Sequence, residues 1–174
     1  MDIVKEGFDA GVRFGESIQQ DMVAIPLGPR QRFVVVGSQL YLYSYLTPQK
    51  PDDLHRHAYI RKRFPGGSVY RRWAFARGED KTIVDVSGPL VLSDTTLALR
   101  AAEDGICLAC VYEQYARNAL EAGRVVAVLD DWLPMLPGFF RYYPGRKRLP
   151  AGLRAFIGLV RQMTAQNFSY PKVS

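Results

Sequence analysis

The chain has 174 residues, nearly half of them apolar, with 23 basic and 17 acidic side chains and a formal charge of +6. This composition excludes wholesale disorder and allows a real core, in one domain or two small lobes. No apolar run approaches the ~20 residues of a membrane helix, and the first residues lack the charged-then-apolar layout of an export signal, so a cytoplasmic protein with no membrane partner is expected.

In chain order, MDIVKEG reads as the last turn of a helix over Asp2 to Glu6, stopped at Gly7. A strand follows in which Phe8, Ala10, Val12 and Phe14 alternate with Asp9, Gly11 and Arg13. RFVVVGS, from Arg32 to Ser38, is a short β-branched run and predicts a buried strand. In TPQKPDDLHRH, Pro48 and Pro51 bound a brief turn or one-turn helix.

Basic residues gather over Arg61 to Arg77 and Arg141 to Arg154. In the first cluster Arg61, Lys62, Arg63, Arg71 and Arg72 interleave with Phe64, Tyr70, Trp73 and Phe75. Such a mixture fits a nucleic-acid platform of aromatics and cations. Pro65 to Gly67 is turn chemistry, however, so a hairpin with one face solvated is the expectation. No helix-turn-helix, zinc-finger or RNA-binding signature is found, and selective DNA binding by this chain alone is not expected.

TIVDVSGPLVLSD reads as a strand, a break at Gly88-Pro89 and a second strand. From Thr95 to Glu103, Leu97, Ala98, Ala101 and Ala102 recur at helical spacing, with Asp94 as N-cap and Gly105 as C-terminal stop. ICLACVY predicts a buried strand, EQYARNALEAG a helix closed by Gly123, and RVVAVLDDW and GFFRYYPG further strands. A last helix starts at Pro150 and places Leu153, Phe156, Ile157, Val160 and Met163 on one stripe, with a loose tail expected after Gln166. The βαβ rhythm predicts an α/β fold with a mostly parallel sheet and helices on its faces.

No catalytic set emerges. Cys107 and Cys110 form a C-x-x-C inside an apolar strand, where positions three apart point to opposite faces, so buried free thiols are expected rather than a redox pair. His55 and His57 have no third ligand at metal spacing and read as a solvated loop pair. Asp130 and Asp131 read as a turn rather than an acid/base pair. Ser68 lacks the second glycine of a nucleophile elbow, and no glycine-rich phosphate loop occurs. The reading is of a protein that is not an enzyme, with no metal and no cofactor.

The joint order of EGFDAGVRFG, DMVAIPLGPRQRFVVVGS, TPQKPDDLHRH, RFPGG, DVSGPLVLSDTTLALRAAEDGICLA, LEAGRVVAVLDDW and PGFFRYYPGRKRLPAGLRAFI resembles the effector-binding domain of LysR-type transcriptional regulators, from Asp2 to about Gln162. The resemblance implies a type 2 periplasmic-binding-protein-like fold: two α/β lobes with a cleft for a small effector. Lobe I would be residues 1–31 with 136–174, and lobe II residues 32–135. In the family, a first strand, first helix and second strand of lobe I precede EGFDAGVRFG, behind a helix-turn-helix head. The chain is therefore expected to be N-terminally truncated, with lobe I incomplete.

The resemblance also implies partners and positions. The partners would be a small organic acid or aromatic effector, DNA only through the missing helix-turn-helix, and further copies of the full-length protein in a homo-oligomer. Arg13, Phe14 and Gly15 would line the cleft from lobe I, and Arg63, Phe64 and Pro65 from lobe II. Ser93, Asp94 and Thr95 would offer the start of a helix to the effector, with Val111 and Tyr112 at the end of the ICLACVY strand that follows it. CVY at Cys110 to Tyr112 departs from the family's apolar-proline ending there. The alternative is a free-standing solute-binding protein of the same fold, against which the missing export signal counts.

Overall fold

The computed structural model describes residues 7–14, 22–28, 30–64, 67–136, 138–144 and 150–167. The strands are β1 Gly11–Phe14, β2 Met22–Pro26, β3 Phe33–Gly37, β4 Ile60–Arg63, β5 Val69–Tyr70, β6 Arg72–Arg77, β7 Asp80–Asp85, β8 Leu90–Leu92, β9 Ala109–Tyr112, β10 Val126–Val128 and β11 Phe139–Pro144. The α-helices are α1 Gln39–Tyr45, α2 Thr95–Glu103, α3 Glu113–Glu121 and α4 Ala151–Asn167, with 3-10 turns at Pro51–Arg56 and Asp130–Trp132. The chain divides into two compact units, Met1–Gln31 with Leu136–Ser174, and Arg32–Met135.

In the first unit, β11 lies between β1 and β2, antiparallel to both. Gly11 stands opposite Tyr142, and a methyl group at Gly11 would come within 2.6 Å of the Tyr142 ring, so the absence of a Cβ is what admits that buried ring. Arg141 alternates to the other face, is buried, and its guanidinium donates to the Ile157 carbonyl of α4 at 3.3 Å. Ile157 is buried as the stripe of α4 predicts, and Leu153 and Val160 are partly so. Phe156 is instead 49% exposed, because position 156 turns away from the sheet that holds its neighbour. The Asp2 to Glu6 turn and the tail after Asn167 lie outside the described residues, as does most of the second basic cluster; Gly7 has the left-handed φ of 77° that a helix stop requires.

The second unit is built on β3. Val34 and Val36 face one core and Val35 the other, as the period of a strand dictates. One core lies under α2 and α3 and takes Ala98, Ala101, Ala102, Ala116 and Ala119; small side chains let the helices sit close to the sheet. The other takes Tyr41 and Leu42 of α1, Leu54, and Trp73, Phe75 and Val84 of the β6–β7 hairpin. The parallel bridge Tyr59↔Leu108 joins two of this unit's three sheets, giving the order β8-β4-β9-β3-β10. In it β8, β4, β9 and β10 share one direction, with α2 and α3 as crossovers, while β3 runs against them. The mostly parallel expectation thus needs correction: β3 makes antiparallel ladders on both sides, and the first unit's sheet is antiparallel throughout its described strands. A rhythm of strands and helices encodes crossovers but not the direction of a strand that enters from outside them.

Other differences are local. α1 is a helix that the alternating Leu-Tyr-Leu-Tyr pattern hides; the Ser38 hydroxyl caps it, accepting from the Tyr41 N–H at 3.2 Å. The strand in RVVAVLDDW stops at Val128 because Leu129 adopts φ 57° and starts the Asp130–Trp132 turn. The hairpin expected over Arg61 to Arg77 becomes two, β4–β5 and β6–β7, and Trp73 and Phe75 are core rather than platform. Asp94 and Gly105 bound α2 as expected: the Asp94 carboxylate accepts the Leu97 N–H at 2.9 Å and Gly105 has φ 74°.

Candidate functional site

A small recess opens where β4, β8 and β9 end and α2 begins. Ligand clefts of open α/β sheets form outside the carboxyl ends of their strands. Ile60 and Lys62, two apart on β4, point into the recess from the same side of the sheet. Leu92 closes it from β8, Cys110 and Val111 from β9, and Asp94, Thr95 and Ala98 from the first turns of α2.

Its polar content is small and ordered. The Lys62 ammonium donates to the Thr95 hydroxyl at 2.9 Å, tying strand to helix. The Asp94 carboxylate is turned to its capping bond; the Leu97 N–H holds its carboxyl below the usual 3.8, and the Lys62 charge adds to this. Burial pushes the Cys110 thiol up to about 12, against the pull of Lys62. A thiol in that state is protonated and a poor nucleophile. The recess therefore offers one ammonium, one hydroxyl and an apolar wall, a set suited to holding a ligand by one polar end.

The residues named from sequence are scattered about this recess. Asp94, Thr95 and Val111 line it. Ser93 is exposed beside it. Tyr112 turns to stack on Phe33, its partner across β3 and β9, with ring centroids 4.3 Å apart. Arg63 and Phe64 are exposed in the β4–β5 hairpin, where Arg63 donates to the Gly67 carbonyl at 3.3 Å and Phe64 meets Tyr70 edge-on. Arg13 and Phe14 pair in register with Phe140 and Phe139 of β11. Gly15 and Pro65 lie outside the described residues. Lys62 was missed. Its signal was the two-residue period of IRKR, which separates Lys62 from its arginine neighbours and puts it on the side of Ile60.

The remaining candidates are structural. Cys107 belongs to the core under α2 and α3 while Cys110 packs toward the opposite one, so the two thiols face apart. Asp130 lies in a 3-10 turn and accepts from Arg32. His55 is exposed, but His57 is buried, which corrects the solvated pair: the chain after Arg56 runs back under α1 and its ring meets Tyr41 at 5.8 Å. Among the described residues no three His, Cys, Asp or Glu side chains gather as a metal group, and no helix is long and apolar enough to cross a membrane.

Residues 1–165 match the family model described as LysR substrate binding domain. A Pseudomonas aeruginosa protein described as a transcriptional regulator is 37% identical over 147 residues, 84% of this chain and 48% of that protein. The HTH-type transcriptional regulator PgrR of Escherichia coli is 35% identical over 156 residues, 90% of this chain and 52% of its own. The chain thus spans about half the length of these relatives. Among solved structures, the full-length Vibrio cholerae virulence activator AphB, a member of the LTTR family, superposes with a TM-score of 0.72 at 23% identity, covering 94% of this chain and 54% of that one. At that identity the likeness shows the fold.

Proposed function

Since the chain belongs to the LysR substrate-binding domain family, we propose that it is the effector-sensing part of a LysR-type transcriptional regulator, working in the cytoplasm. The units Met1–Gln31 with Leu136–Ser174 and Arg32–Met135 are lobes I and II in this reading. The observation that carries it is the recess at the carboxyl ends of β4, β8 and β9, with the Lys62–Thr95 bond at its polar end. Its enclosed space is only about 20 Å³, far below the roughly 300–1,000 Å³ of a drug-sized pocket, so it would hold no more than the polar end of a ligand. An effector held by both lobes favours the closed arrangement by its differential affinity, and lobe closure becomes the signal to attached parts of the regulator. DNA is reached through a helix-turn-helix outside this chain, and the full-length regulator works as a homo-oligomer.

The ammonium of Lys62 favours a ligand with an anionic end, hence a small organic or aromatic acid. Nothing in the recess supplies a nucleophile with a base, so binding is its role rather than turnover. The test is heat stability of the chain against a panel of small carboxylic acids and their amides. Binding to the folded state alone adds RT ln(1 + [L]/Kd), about 2.7 kcal/mol at a hundredfold excess over Kd. At least one acid raising the melting temperature above its amide is the expected outcome. Equal protection by acid and amide throughout the panel would remove Lys62 from the site, and protection by neither class would remove the recess.

A further inference from the structure

We propose that His57 is an acid-sensitive latch on α1: when its buried ring takes up a proton, α1 separates from the Pro51–Arg56 turn. His57 is 7% exposed, and its Nδ1 has no hydrogen-bond partner. It lies against Tyr41 of α1, with centroids 5.8 Å apart. The Tyr41 hydroxyl is already engaged with Ala58, accepting its N–H at 2.9 Å and donating to its carbonyl at 3.4 Å. A protonated ring would carry an N–H with no acceptor and a charge with little water, and a buried charge without a partner is relieved by opening the structure around it.

The element above it is poorly held. α1 has seven residues, and only Tyr41 and Leu42 are buried; Leu40, Tyr43 and Tyr45 are mostly exposed and contribute little packing. Leu46 follows at φ 66°, a left-handed conformation that strains a branched side chain. Short elements with few buried contacts are those that open locally.

The titratable groups around the ring are Tyr41 and Tyr45 of α1, Cys107 beyond Tyr41, and Asp53 of the 3-10 turn. Burial raises the Tyr41 phenol above its usual 10.0 and the Cys107 thiol to about 11, and the Gln49 N–H holds the Asp53 carboxyl below 3.8. These three keep one charge state between pH 5 and about 7.5, the range in which imidazole titrates. Burial lowers the His57 pKa from 6.5, and the Asp53 charge acts the other way. A depressed folded pKa means that stability is complete above about 6.5 and is lost as pH falls toward the folded value. The Ser38 N–H, at the start of α1, also donates to the Ala102 carbonyl near the end of α2 at 3.1 Å. Release of α1 thus reaches the helix whose first turn lines the recess, a consequence that rests on the effector reading above.

Amide hydrogen exchange of the full chain between pH 7.5 and 5, expressed as protection factors, tests the latch without any ligand. The opening constant of the Tyr41 to Tyr45 amides should rise up to about tenfold per pH unit below 6.5, the slope of one proton. It should be flat in His57→Asn and in His57→Phe, the second keeping a ring against Tyr41, and unchanged in His55→Asn. A flat profile in the unaltered chain, or the same slope in both His57 variants, would overturn the proposal. Failure of the acid panel would leave this readout untouched.

Discussion

Lys62 and Thr95, 33 residues apart in sequence, meet through a 2.9 Å bond from ammonium to hydroxyl at the mouth of the recess. One comes from the end of a strand and the other from the first position of α2. The bond fixes the ammonium where a ligand's acidic end would sit, and both partners retain capacity for a further bond.

Replacing Thr95 with Val or Lys62 with Met removes this arrangement at little structural cost, since neither is a core residue. For any acid that protects the chain against heat, each variant should weaken binding about tenfold or more, the scale of one hydrogen bond to a charged group. The melting temperature without ligand should move by only a degree or two. Equal loss with and without ligand would make the pair a strut between β4 and α2.

Gly88 admits the backbone of Tyr59. A methyl group at 88 would lie 1.9 Å from the Tyr59 carbonyl oxygen and 2.5 Å from its nitrogen, where the Tyr59 N–H bonds the Ser87 carbonyl. Backbone atoms cannot step aside as a side-chain tip can. Gly88→Ala should therefore destabilise by about 3 kcal/mol, the upper end for overpacking, in urea titrations. A cost below roughly 0.5 kcal/mol would show that the β4–β8 ladder gives way easily.

Arg32 holds Glu113 at 2.6 Å and Asp130 at 2.9 Å, joining the entry of β3 to the start of α3 and the turn after β10. The Arg32 hydrogen bond keeps the Glu113 carboxyl below its usual 4.5. A depressed carboxylate contributes stability present above pH 4.5 and lost as pH falls through the folded value. Both carboxylates are more than a third exposed, so the contribution is discounted to about 1 kcal/mol for the cluster. Arg32→Gln should cost that much at pH 7 in 0.1 M salt, and the difference from the parent should shrink below pH 4. A cost independent of pH would assign the role to packing of the arginine stem.

The thiols of Cys107 and Cys110 are pushed up by burial to about 11 and about 12. Neither should react with a disulfide reagent at pH 7.5 while the chain is folded, and both should react at once in denaturant. Fast modification of Cys110 alone would mean that the recess is open enough to admit the reagent and its thiol less buried than found.

The amino-acid sequence by itself determined what is written within a turn or two of the chain. The Asp94 cap and Gly105 stop of α2, the buried valines of β3, the break at Gly88 and the helix ending near Gly123 depend on hydroxyl and carboxylate reach, β-branching and positive φ, and each is complete within about ten residues. The linear order of these pieces carried the family likeness. Only the tertiary structure decided that β3 runs against its neighbours, that Gln39–Tyr45 is a helix despite its alternating pattern, that His57 is covered while His55 is not, and that Lys62 reaches Thr95. A strand's direction, a side chain's burial and a bond across 33 residues depend on which distant surface arrives to cover them. No local propensity encodes that arrival; the energy of packing the two cores on either face of β3 does.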